Sequence, residues 1–307
     1  MTEPTLFFTS DWHLTDRLPH ARCDEDYFQT QVGKLRWIFE QVAATENAAL
    51  VVAGDIFDKP RNPELITYTL ISLLREYGLE DRFICLAGQH DLLQHNAGLL
   101  SHTSFGLLSQ YIPTCYTDYR RLRWGNVFLE LFPWGAPIIP KKKGSIVVAH
   151  SFVWSEKKEP WPGCDVEGMV EEIVAGEIFQ NNGLFVYGDN HDPFIYKARD
   201  KTILNCGSLM RKSLDQHEHT PMIYAYYSDT GKIEPLYVPV SPENLLAVKL
   251  EEEKEKQKQI EEYIEQLKKG IEVSLDFEKN IRRFLKVNKV EETICKHVWS
   301  FVTPERI

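Results

Sequence analysis

An α/β fold of two mixed sheets packed face to face between outer helices, with a helical C-terminal appendage, is predicted by three features of this sequence. Short apolar runs that stop at Asp, His or an amide recur through the first two thirds. The intervals between the early runs carry helical periodicity, and hairpin patterns join from about Thr114. Near Ser241-Pro242 the pattern turns to long polar stretches with narrow apolar stripes.

The run Leu50-Val51-Val52-Ala53 is too short for a helix, rich in β-branched Val, and stops at Gly54-Asp55, so it reads as a buried parallel strand with a carboxylate at its end. Four other runs behave alike. Leu6-Phe7-Phe8-Thr9 leads into Ser10-Asp11-Trp12-His13, and Phe83 to Ala87 leads into Gly88-Gln89-His90-Asp91. Ile146 to Ala149 leads into His150, and Leu184 to Tyr187 leads into Gly188-Asp189-Asn190-His191. Ligand sites of open α/β sheets lie beyond the carboxyl ends of the strands, so the five ends predict one polar cluster. Carboxylates and imidazoles without thiolate suit two divalent ions such as Mn²⁺, Fe²⁺, Zn²⁺ or Mg²⁺, with Asp55 as the bridge.

Between the first two strands, Tyr27, Phe28, Val32, Leu35, Ile38, Phe39 and Val42 recur at spacings of three and four, which predicts an amphipathic helix over 24–45. Residues 63–78 form a second crossover helix that starts at Pro63 and ends at Gly78. Arg120 to Trp124 and Val127 to Phe132, joined by Gly125-Asn126, read as a hairpin. A helix is expected at about 166–180, and a second hairpin runs from Met222 to Val240 around Asp229-Thr230-Gly231.

The domain division is 1–240 for the sheet-bearing part and 241–307 for a helical region, a cover or a partner-binding element. In the latter, nine polar residues from Glu251 to Gln259 precede a stripe of Ile260, Tyr263, Ile264 and Leu267; Phe277, Ile281, Phe284 and Leu285 form another.

A chain of 307 residues can bury a sizeable core. No apolar stretch reaches the roughly 18 residues of a membrane span, and Met1-Thr2-Glu3-Pro4 has no basic and then apolar leader, so a cytoplasmic protein is expected. Six scattered cysteines fit reduced thiols. The net charge of -10 would speak against nucleic acid, but part of it belongs to metal ligands that bound cations neutralise. Basic groups stand at Arg120-Arg121, Lys141-Lys142-Lys143, Lys157-Lys158 and Arg211-Lys212.

The ordered set Asp11-x-His13, Gly54-Asp55, Gly88-Gln89-His90-Asp91, His150 and Gly188-Asp189-x-His191 resembles the calcineurin-like metallophosphoesterase superfamily. Within it, Thr9 to Leu14, Ala53 to Asp58 and Cys206-Gly207-Ser208 resemble the SbcD-type DNA repair nucleases, partners of the SbcC ATPase; the likeness covers about 1–240. The resemblance implies a four-layer α/β/β/α sandwich. It also implies two metals, one held by Asp11, His13, Asp55 and His191 and the other by Asp55, Gln89, His150 and Asp189.

Gln89 stands where the family has Asn and Asp189 where it has His; the added carboxylate favours a harder ion, Mn²⁺ first and Mg²⁺ next, over Zn²⁺. The resemblance further implies metal-activated hydroxide chemistry, with His90 protonating the leaving oxygen and Asp91 orienting His90. Asp58 and Asn190 read as loop groups, Arg17 or Arg211 as possible phosphate contacts, and His217-Glu218-His219 as an exposed loop.

The leading functional expectation is an SbcD-like exo- or endonuclease on DNA, with an SbcC-like ATPase partner through the C-terminal helices and a homodimer as a further possibility. Two alternatives stand beside it: a phosphatase or phosphodiesterase on a small nucleotide or phosphoprotein, and a non-catalytic scaffold whose second metal site has degenerated.

Overall fold

The structure, a computed structural model, describes residues 3–155, 168–176, 183–198, 200–240, 258, 277–288, 290, 292, 294–296 and 299. Twelve strands in the described residues make two six-stranded sheets. The first contains β1 (Leu6–Thr9), β2 (Ala49–Val52), β3 (Phe83–Leu86), β4 (Cys115–Tyr116), β11 (Met222–Tyr227) and β12 (Lys232–Tyr237), in the order β12-β11-β1-β2-β3-β4. The second contains β5 (Arg120–Trp124), β6 (Val127–Phe132), β7 (Ile146–His150), β8 (Leu184–Gly188), β9 (Phe194–Ala198) and β10 (Lys201–Asn205), in the order β5-β6-β7-β8-β10-β9.

Each sheet has a parallel centre. In the first, β1, β2, β3 and β4 run parallel, and β11 and β12 add antiparallel edges. In the second, β6, β7, β8 and β10 run parallel between antiparallel β5 and β9. All five ligand strands thus lie in parallel blocks, with their carboxyl ends at one edge of each sheet.

The lack of polar alternation in those strands follows from burial on both faces. Leu6, Phe8, Ala49, Val51, Ile84 and Leu86 of the first sheet meet Leu129, Leu131, Val148, Val186 and Leu204 of the second in a shared core. The intervening Phe7, Leu50, Val52, Phe83 and Cys85 face outward under α1 (Tyr27–Ala43), α2 (Glu64–Glu76) and α3 (Ser104–Tyr111). On the other side, Val147, Ala149, Phe185 and Tyr187 pack with Val170 of α4 (Val170–Ala175). Helices, two sheets and helices make the four layers expected.

The α1 helix begins where Asp26 accepts from the Gln29 amide at 3.0 Å, and its buried face is the stripe read from the sequence. One polar member of that face ties the helix to the first ligand loop. Gln31 accepts from the Thr15 amide at 3.1 Å and donates to the His13 carbonyl at 3.0 Å.

The helix expected at 166–180 is present over Val170–Ala175, and the remainder of that range is partly outside the described residues. Strands β4, β9 and β10 and helix α3 lie beyond the elements that the sequence pattern predicts. Contacts divide the chain into Met1–Lys249 and Leu250–Ile307. The expected stripe from Ile260 to Leu267 falls outside the described residues, and Phe277–Val287 is a helix. No helix among the described residues is long and apolar enough to cross a membrane.

Candidate metal centre at the strand ends

The ligand loops are laced together by backbone bonds. Asp11 N–H donates to Gly54 O at 3.0 Å, His13 N–H to Asp55 O at 3.0 Å, and Leu14 N–H to Ile56 O at 2.8 Å. Asp11, His13 and Asp55 adopt φ of 53°, 47° and 53°, and Asp189 adopts 90°. Left-handed backbone at non-glycine residues persists only where the surroundings impose it, and it clusters at working sites. Gly54, with φ of 100°, meets a second constraint, since a Cβ there would lie 2.1 Å from His150 Nδ1. Gly88 is equally crowded, with its would-be Cβ 2.1 Å from Asp55 Oδ1.

These loops bring the sequence-predicted residues together. Ligand atoms of Asp11, His13 and His191 lie within 4.8 Å of one another, as do those of Asp11, Asp55 and His150, and those of His13, Asp55 and His90. Asp55 Oδ2 is central: it lies 3.8 Å from His13 Nε2 and 3.5 Å from His150 Nε2, buried and without a hydrogen-bond partner. An orphaned carboxylate oxygen between two imidazoles is costly unless a cation meets it. The Nε2 atoms of His13 and His191 face each other at 3.0 Å, where one cation would accept both lone pairs. The donor set therefore fits divalent metal ions held by oxygen and nitrogen.

Gln89 and Asp189 join through a hydrogen-bonded chain. His150 Nε2 is 2.6 Å from Gln89 Oε1, and Gln89 Nε2 donates to Asp189 Oδ1 at 2.5 Å. Asp189 belongs to none of the three ligand groups among the described residues. Its amide instead donates to Asp11 Oδ2 at 3.0 Å. His150 Nδ1 sits 2.6 Å from the Ala53 carbonyl, which orients the ring and directs Nε2 into the site.

The electrostatics of the cluster follow from burial and from the charges packed around it. Burial first, and the Asp55 charge with it, push the Asp11 carboxyl up to about 8, against the pull of His150. Burial favours neutral Asp55, but the nearby charge of His150, with the charge and backbone amide of His90, outweighs it and holds Asp55 below the usual carboxylate range. His13 and His191 are pushed down by burial and then by the Lys212 ammonium, which keeps their lone pairs available.

The group that orients His90 differs from expectation. His90 is exposed, its ring edge-on to His13 at 4.8 Å between centroids. Its Nδ1 lies 2.9 Å from the Asp58 carbonyl, so Asp58, rather than Asp91, orients the imidazole. The Asp91 carboxylate is buried and accepts the amides of Phe57 and Gly88 at 2.9 Å each and of Ile56 at 3.3 Å. It clamps the Asp55 loop to the Gln89 loop, because backbone donors outcompete a ring that faces solvent.

Lys212, not Arg211, reaches the site: its ammonium pairs with the Asp58 carboxylate, which stands 3.8 Å from His13 Nδ1. The two adjacent cations in the sequence signalled a basic group there without saying which one turns inward. Arg17 is exposed, and Asn190 is a turn group that accepts the Asp192 amide. His219, expected in an exposed loop, is buried with Nε2 2.8 Å from the Ser208 carbonyl.

The calcineurin-like phosphoesterase family model matches residues 4–232. No curated protein matches the chain. Similar solved structures include a novel archaeal phosphodiesterase, at 12% identity over 76% of this chain and 98% of that one, with a TM-score of 0.41. Phosphopantetheinyl hydrolase from Mycobacterium tuberculosis is similar at 13% identity over 76% and 96%, with a TM-score of 0.45. Vacuolar protein sorting 29 from Cryptosporidium parvum is similar at 14% identity over 78% and 100%, with a TM-score of 0.36. With a family model spanning both sheets and all five ligand loops, the chain belongs to the calcineurin-like phosphoesterase family.

Proposed function

We propose that this protein is a metal-dependent phosphodiesterase whose substrate is DNA, a nuclease of the SbcD type. One observation carries the reading: the three stretches that resemble those nucleases converge on one site. Leu14 bridges to Phe57, joining the Thr9–Leu14 and Ala53–Asp58 stretches. The Cys206–Ser208 stretch follows at once, with Ser208 N–H on the His191 carbonyl and Leu209 N–H on the Asp11 carbonyl.

Asp11, His13, Asp55 and His191 would hold one divalent ion, and Asp55, His150, Gln89 and Asp189 a second, with Mn²⁺ the preferred metal. Such a pair supplies a water of lowered pKa and neutralises charge on the transferring phosphoryl group. His90 donates a proton to the leaving oxygen. Its Nδ1–H is committed to the Asp58 carbonyl, which leaves Nε2 to carry that proton. An SbcC-like ATPase is the proposed partner of region 241–307.

The test compares linear duplex DNA, single-stranded DNA, an aryl phosphodiester and an aryl phosphomonoester, with Mn²⁺ or Mg²⁺ added. DNA degradation that Asp55→Ala abolishes supports the nuclease. Hydrolysis of the monoester alone overturns it in favour of a phosphatase, and no hydrolysis of any substrate overturns it in favour of a scaffold.

A further inference from the structure

The last strand in the order of the first sheet, β4, is two residues long, and one of the two is a cysteine. Cys115 pairs in parallel register with Cys85 of β3, and the Cys85 and Ala87 amides donate to the carbonyls of Thr114 and Tyr116 at 3.0 and 2.8 Å. Neighbouring strands lie about 4.7–4.9 Å apart, inside the Cα separation of about 4.4–6.8 Å that a disulfide spans. The side chains are also turned toward each other. Cys85 Sγ donates to Cys115 Sγ at 3.0 Å, and both belong to the helix side of the sheet, in the cluster that holds Phe105 and Leu108 of α3.

The two thiols differ in access. Cys85 is fully buried, and burial first, then Cys115, push its thiol well above the ordinary range. Cys115 is half-buried at the edge of the sheet. The thiolate is the reactive form, and apolar burial suppresses it, so Cys115 is the sulfur that a small solute meets first and Cys85 the one held behind it.

We propose that Cys85 and Cys115 form an oxidation site that takes a peroxide and closes to a reversible disulfide, fastening β4 to β3. In the first step the Cys115 thiolate attacks one oxygen of hydrogen peroxide. The S–O bond forms, the O–O bond breaks, and the departing hydroxide leaves as water with the thiol's proton. In the second step Cys85 Sγ attacks the sulfenic sulfur. The S–S bond forms, the S–O bond breaks, and the hydroxyl leaves as water with the Cys85 proton. Two thiols together lose two electrons, and one peroxide becomes two waters. A thiol reductant reverses the bond by exchange.

The bond closes a ring over residues 85–115, which holds Gly88, Gln89, His90 and Asp91 as well as α3. Beyond β4 the chain crosses from the first sheet to β5 in the second. A bridge across such a loop removes freedom from the unfolded chain, so the oxidised protein should resist heat better than the reduced one. The site lies outside the ligand set and does not depend on the nuclease reading.

The test treats the full chain with hydrogen peroxide, with chelator present to exclude metal-catalysed oxidation. The reaction is quenched with catalase, and the protein is alkylated with N-ethylmaleimide in denaturant and digested without reductant. Mass spectrometry should find the peptides carrying Cys85 and Cys115 joined, two hydrogen masses lighter than their sum, and separated again by dithiothreitol. Circular dichroism should show the joined protein melting about 4–16 °C above the reduced one, a shift that dithiothreitol abolishes. Cys115→Ser should lose both the joined peptide and the shift. The wild-type measurements decide by themselves if that variant does not fold.

Alkylation of both Cys85 and Cys115 at peroxide levels that oxidise the exposed Cys23 overturns the proposal. So does Cys115 carried on to a sulfinic acid with Cys85 still alkylated, or either residue joined to a different cysteine. A joined protein that melts no higher than the reduced one also overturns it, since the bond then fastens nothing.

Discussion

Replacing Gly88 by alanine should disable the metal centre through a single carbon atom. The new Cβ would lie 2.1 Å from Asp55 Oδ1, 2.5 Å from Asp55 N and 2.6 Å from Asp55 Cγ. Real Cβ atoms essentially never come within 3.0 Å of such neighbours. The carboxylate must therefore retreat by about 0.9 Å and the backbone by about 0.5 Å in a close-packed interior. Gly88 is outside the left-handed region, so alanine's own backbone preferences add nothing, and the effect is one of contact alone.

Retreat of Asp55 costs the bond that its Oδ1 accepts from the His90 amide at 2.9 Å. A hydrogen bond to a charged group contributes about 1.5–3 kcal/mol and overpacking costs about 1–3 kcal/mol, so a loss of about 3–5 kcal/mol is expected. At about 2–4 °C per kcal/mol for a domain of this size, melting should fall by about 6–20 °C. Circular dichroism reads the melting, and calorimetric titration with Mn²⁺ reads the metal. Displacement of the shared ligand by about an ångström should also cut hydrolysis by about 10²-fold. Wild-type melting together with wild-type metal affinity would refute the reasoning.

Two further perturbations probe other parts. His90→Ala should retain Mn²⁺ binding but lose about 10²-fold or more in turnover, as expected for removal of a general acid; unchanged turnover in a steady-state assay would remove that role from His90. Glu130 is buried, and its carboxylate accepts from Tyr119, Ser145 and the amides of Lys141 and Lys142. Burial alone would raise it, but the bonds from Tyr119 and Ser145 and from the two amides hold it below the ordinary value. A depressed folded-state value means that the unfolded chain takes up the proton first on acidification. The stabilisation is therefore present at neutral pH and is lost as pH falls through the folded value. Glu130→Gln should cost about 1.5–3 kcal/mol in urea at pH 7, and the gap to wild type should close in acid; a gap independent of pH would contradict it.

The five ligand strands were legible because burial on both faces leaves a local mark, an unbroken apolar run. The mark ends where the chain leaves the sheet, at Asp11, Asp55, Gln89, His150 and Asp189. The α1 helix was legible for a related reason, its stripe from Tyr27 to Val42. Strand β9 was not, since it lies at an edge with intermediate and exposed positions in alternation, and β10 was missed beside it although its centre is buried. Short β4 has two residues and no run to read.

Which residues end strands, and which chemistry those ends carry, can be read from the linear chain, because strand burial and the Gly-Asp turns are local properties. The partners come from the packed fold: Asp91 on the amides of Ile56, Phe57 and Gly88, Asp58 rather than Asp91 behind His90, and Lys212 rather than Arg211 turned toward the site. That fold also sets Cys85 against Cys115, 30 positions away in the chain. A side chain's partner is set by which loops the two sheets bring to the same edge, and no stretch of sequence records that placement.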